Sequence, residues 1–60
     1  MRRFRVKIKN KLYVFALVKT YSCKYKFVNL SEDELLRPKF KTVGEALKWL
    51  DESYKYWESF

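Results

Sequence analysis

Histidine is absent from this chain of 60 residues, and cysteine, glycine and proline each occur once. Lacking histidine and a second cysteine, the chain cannot build the usual zinc ligand sets or the Ser/His and Cys/His catalytic pairs. Cys23 alone excludes an internal disulfide, and its place in an apolar alternation predicts a buried, inert thiol. Gly44 stands without a phosphate-loop pattern around it. Long apolar runs are missing as well: the longest uncharged stretch, residues 12–18, is far shorter than the roughly 20 residues that span a bilayer as a helix. The basic start leads into charge alternation and not into an apolar signal region, so a soluble cytoplasmic protein with no membrane segment is expected. No linker, repeat or low-complexity tract divides the sequence, which reads as a single domain over residues 1–60.

Acid is missing from the first half. Residues 1–30 hold nine Lys/Arg and no Asp/Glu, whereas residues 31–60 hold five bases against seven acids. A domain this small buries only about 60% of the surface its unfolded chain exposes, so large side chains must supply the core. Two Trp, five Tyr and five Phe are available for that.

Residues 3–9 alternate strictly, placing Phe4, Val6 and Ile8 on one face and Arg3, Arg5, Lys7 and Lys9 on the other. Residues 12–19 are β-branched and aromatic and read as a central strand. Cys23, Tyr25 and Phe27 alternate with Lys24 and Lys26 as a third strand. A tight turn at Asn10 and Lys11 would set Ile8 opposite Tyr13, Val6 opposite Phe15 and Phe4 opposite Leu17. A three-residue connection through Thr20, Tyr21 and Ser22 would set Tyr25 opposite Leu17 and Phe27 opposite Phe15, keeping every apolar residue on one face.

The period then changes. Thr42 and Glu45 form a capping box, with the carboxylate reaching back to the Thr42 amide. Val43, Ala46, Leu47, Leu50, Tyr54 and Trp57 follow at helical spacing. Ser31 and Glu34 repeat the capping pattern and predict a short helical turn in between, with Glu32, Asp33 and Glu34 favoured there by the helix dipole. The expected fold is therefore α+β: a three-stranded antiparallel sheet (β-β-β) with one face covered by a C-terminal helix. That order resembles some duplex-binding modules.

On the face away from the helix, Arg3, Arg5, Lys7 and Lys9 would form one basic row and Lys24 and Lys26 another, flanking Leu12, Val14, Ala16 and Val18. Two such rails can straddle phosphates. The expected function is a small non-enzymatic nucleic-acid-binding protein, acting on duplex DNA, without cofactor, metal or small-molecule substrate. Its alternative is a protein-interaction or inhibitor module that takes an acidic protein partner. Basic edge strands also serve as protection against aggregation, which is the plainest reading of these charges. The apolar surfaces Val14, Ala16 and Val18, and Trp49, Tyr56 and Phe60 beside the helical stripe, are expected partner interfaces and favour a homodimer.

Overall fold

The alternation at the start of the chain produces β1, Arg2–Ile8, in which Phe4 and Val6 are buried and Arg3, Arg5 and Lys7 are exposed. The computed structural model describes residues 2–60. Lys9 and Asn10, with φ of 49° and 66°, turn the chain into β2, Lys11–Lys19. Two consecutive left-handed residues are the mark of the two-residue hairpin whose twist matches its strands. The turn thus lies one residue earlier than Asn10 and Lys11, and the pairing slides by two: Phe4 opposes Phe15 and Val6 opposes Tyr13. A two-residue slide leaves every side chain on its expected face.

The connection to β3, Tyr25–Asn29, is the loop Tyr21, Ser22 and Cys23, closed by the Thr20 amide donating to the Lys24 carbonyl at 2.7 Å. Cys23 has φ 59° and is exposed, so it fills the left-handed position usually held by glycine and is not a buried thiol. This pairing also slides by two, giving Leu17 opposite Phe27 and Phe15 opposite Asn29.

The sheet has five strands, not three, in the antiparallel order β4-β3-β2-β1-β5. The expected short helical turn is instead a turn and a strand. Buried Asn29 accepts the amides of Ser31 and Glu32 through Oδ1, and Asp33 has φ 54°. Ser31 Oγ accepts the Val14 amide at 2.9 Å and caps no helix. The chain then returns along β3 as β4, Glu34–Leu35, and meets Tyr25 again at Phe40.

Helix α1, Val43–Ser53, starts at Thr42, whose Oγ1 accepts the Glu45 amide at 3.1 Å. The Glu45 carboxylate accepts the Lys41 amide, one residue before the expected one. The helix ends at Ser53: Tyr54 is extended and leads to β5, Tyr56–Ser59, which pairs with β1 and sets Trp57 opposite Val6. Tyr54 and Trp57 reach the core as expected, but through an extended backbone. Ala46 and Leu50 of the helix close over Phe4, Val6, Phe15, Leu17 and Phe27. Edge-to-face contacts of Phe4 with Phe27 and Trp57, at 5.9 and 5.8 Å, tie the middle of the sheet to its new edge. With five strands, the resemblance to three-stranded duplex-binding modules no longer holds.

Candidate nucleic-acid interface

Among the described residues, none forms a layer over the sheet face opposite α1. Reading across the strands, Tyr56, Lys7 and Leu12 make one row, and Glu58, Arg5 and Val14 the next. Arg3, Ala16, Val28 and Leu35 make a third, with the Phe60 amide donating to Arg3 at its end. Val18 and Lys26 form the fourth.

These rows change the arrangement of charge. In the expected register Lys26 shares a row with Arg5, and Lys24 with Arg3. The slides at both hairpins carry β3 along, so Lys26 lies one row beyond Arg3, a step of roughly 6.6 Å along the strand. Two parallel rails become one oblique band: Lys7, Arg5, Arg3, then Lys26. Lys24 sits beyond the band in the connection before β3, and Lys9 lies in the first hairpin turn.

β5 brings to this face what the sequence reading put elsewhere. Tyr56 and Phe60 are 61% and 47% exposed and stand beside the cations. The Arg5 guanidinium lies 4.3 Å from the Phe60 ring centre and that of Arg3 5.2 Å, while Lys7 Nζ is 5.7 Å from the Tyr56 ring. Cation–π contacts of this kind contribute about 0.5–1 kcal/mol at exposed sites. Arg5 Nη1 also donates to Glu58 Oε1 at 3.0 Å, an exposed pair worth at most about 1 kcal/mol. Arg5 is thereby partly neutralised, and Arg3, Lys7 and Lys26 carry the uncompensated charge of the band.

Trp49 does not join Tyr56 and Phe60. Its ring stacks on Phe27 at 5.6 Å and packs against Phe40 and Tyr54, on the helix side of the sheet. Val14 and Val18 remain half-buried on the open face, whereas Ala16 is fully buried within its row. Sequence reasoning missed Glu58 as a member of the face and Leu35 as an extension of its aliphatic part. The available signal was the alternation of Tyr56, Glu58 and Phe60 in a tail rich in strand-forming aromatics.

A shallow groove of ≈ 580 Å³ borders Tyr56, lined by Arg5, Lys7 and Leu12 on the open face and by Lys55 and Asp51 toward the helix. Across β5, Trp57 Nε1 donates to Asp51 Oδ1 at 3.0 Å. Burial, and secondarily the Glu34 carboxylate, raise the Tyr54 hydroxyl above its ordinary pKa. Tyr54 lies under the sheet and is no part of the open face. Among the described residues no three metal-ligating side chains gather, and no helix is long and apolar enough to cross a membrane. Compared with family models, curated proteins and solved structures, the chain matches none.

Proposed function

We propose that this chain is a non-enzymatic nucleic-acid-binding protein that holds phosphates on the open face of its sheet. The observation that supports the reading is the oblique band of Lys7, Arg5, Arg3 and Lys26 on a face that α1 leaves uncovered. A polyanion can follow such a band with its phosphates while its bases lie toward the aliphatic residues of β2 or the aromatics of β5. Phosphate contacts position without reading sequence, so selectivity among sequences is weak. Affinity depends strongly on salt: for about four contacts, log K falls against log salt with a slope of roughly −3 to −4.

Anisotropy of labelled oligonucleotides at two salt concentrations tests this. Arg3→Glu with Lys26→Glu removes two cations that no carboxylate pairs and adds two repelling charges; binding should be lost while the protein stays folded, its stability lower by about the one cation–π contact of Arg3. Arg5→Glu is a poorer probe because it also places a second carboxylate beside Glu58. A folded protein that binds no nucleic acid at low salt overturns the proposal.

A second reading draws on Leu12 and Leu35, 65% and 56% exposed, which flank Val14 and Val28 on the same face. An acidic protein partner with an apolar centre would cover this strip and be steered to it by the cations. Competition separates the readings: a protein complex that survives excess nucleic acid favours the second.

A further inference from the structure

We infer that the strand bound on the open face is unpaired, and that Tyr56 and Phe60 are the platforms on which its bases stack. This deepens the phosphate-binding reading and rests on it. Three features of the sheet lead there.

The first is width. Five strands at about 4.8 Å spacing make a face roughly 19 Å across, against a major groove about 12 Å wide that admits one helix or a two-stranded ribbon. The sheet cannot enter that groove face first. The second is the arrangement of charge. Lys7, Arg5, Arg3 and Lys26 lie in single file, stepping from β1 to β3 with one row of displacement. Single file suits one phosphate backbone, whereas the two backbones of a duplex call for two rails.

The third is the position of the aromatics. Tyr56 on β5 and Phe60 just past its end flank Glu58, immediately beside the band, and both are exposed. Four residues of extended chain separate them by roughly 13 Å, so one strand can contact both. A base arriving at Phe60 meets either the ring or the guanidinium that lies 4.3 Å from its centre, and both are stacking surfaces. Paired bases present no free face to these groups unless the duplex is first unstacked, which costs energy. The Arg5–Glu58 pair between the two platforms offers donors and an acceptor to exposed base edges. The groove beside Tyr56 gives a stacked base room to tilt.

The test compares oligo-dT, oligo-U and a duplex, each of about 15 nucleotides or base pairs, a length near the upper site size of single-strand-binding folds. Binding is measured to the intact chain and to the Tyr56→Leu and Phe60→Leu variants, which keep apolar area and remove the π-face. Both side chains are exposed, so the variants should stay folded, their melting temperatures lower only by the lost cation–π contacts, at about 4–8 °C per kcal/mol. Either single strand should bind at least about 10-fold tighter than the duplex. Each variant should lose about 10-fold for the single strand, or about 1.4 kcal/mol, and less than about 2-fold for the duplex. A tighter oligo-dT or oligo-U arm identifies the strand as DNA or RNA. Equal affinity for single strand and duplex, unchanged in both variants, overturns this inference and leaves phosphate binding standing. No binding of any of the three by the folded protein overturns both.

Discussion

Four non-glycine residues, Lys9 and Asn10 in the first hairpin and Cys23 and Asp33 in the turns that begin and end β3, occupy left-handed conformations, and they do so for different reasons. Asn10 is one of the few residues that tolerates φ > 0, and a two-residue hairpin demands it there. Asp33 follows the Asx turn built by Asn29, whose buried Oδ1 holds the amides of Ser31 and Glu32 at 3.0 and 3.2 Å. Cys23 has no such excuse: its side chain makes no local hydrogen bond among the described contacts, and its φ of 59° belongs to a glycine. A left-handed residue with a Cβ costs about 1–2 kcal/mol, of which glycine recovers part after its own entropic cost. Cys23→Gly should therefore stabilise the fold by up to about 1 kcal/mol, raising the melting temperature by roughly 4–8 °C per kcal/mol in a domain this size. Cys23→Val should lower it, because a β-branched residue fits that φ worst. Thermal melts of both variants check the pair, and a Gly variant that melts below the parent would show that the loop relaxes without strain.

At the level of elements, the strands whose alternation was strict were legible, and those that shared a pattern with a helix were not. Phe4, Val6 and Ile8 could only form a strand face, and Thr42 marked the start of α1. The registers were each off by two residues because face assignment fixes parity and says nothing about a slide of two. Turn conformation at Lys9 and Cys23 decided that slide. Beyond Ser53, Leu50, Tyr54 and Trp57 fit helical spacing while Tyr56, Glu58 and Phe60 fit an alternation. Tertiary pairing with the open side of β1 settled the conflict in favour of β5. The candidate site shared this fate: Arg3, Arg5, Lys7 and Lys26 were readable on the open face, Lys9 and Lys24 fall outside the band, Tyr56 and Phe60 were placed on the wrong layer, and the two-rail geometry vanished with the register. β5 depends on Trp57, which packs edge-to-face on Phe4 and donates to Asp51. Trp57→Ala should cost roughly 2–4 kcal/mol. Its effect should be uneven: amides of residues 56–60 lose hydrogen-exchange protection, while those at the centre of the β2–β3 pair keep most of theirs. Uniform loss of protection across the sheet would mean that β5 folds and unfolds with the whole.

For the molecule as a whole, the added strands alter the argument about assembly. Basic β1 and β3 edges would disfavour self-pairing of copies by like charge, but the edges are β4 and β5. β4 is two residues long. β5 carries one charge, Glu58, and neither lysine nor proline, so it lacks the common protections of an exposed edge. The Phe60 amide donates to Arg3, and by antiparallel alternation Trp57 and Ser59 turn their amides and carbonyls away from β1. Two copies can join there about a two-fold axis. Pairing centred on Trp57 sets Glu58 opposite Tyr56 of the partner subunit, whereas pairing centred on Glu58 opposes two carboxylates and is disfavoured. The favoured register makes one continuous ten-stranded sheet whose open faces, and their basic bands, lie side by side. A homodimer, where it forms, is expected through β5, and Trp49, half-buried against Phe27, would take no part in it. Light scattering over a concentration series should show a mass rising from one copy toward two. Ser59→Pro removes an outward amide while leaving the bonds between β1 and β5 in place, so it should hold the protein monomeric with its circular dichroism unchanged. A parent protein that stays monomeric at the highest concentration rejects the dimer, and a Ser59→Pro protein that still dimerises moves the seam away from this edge.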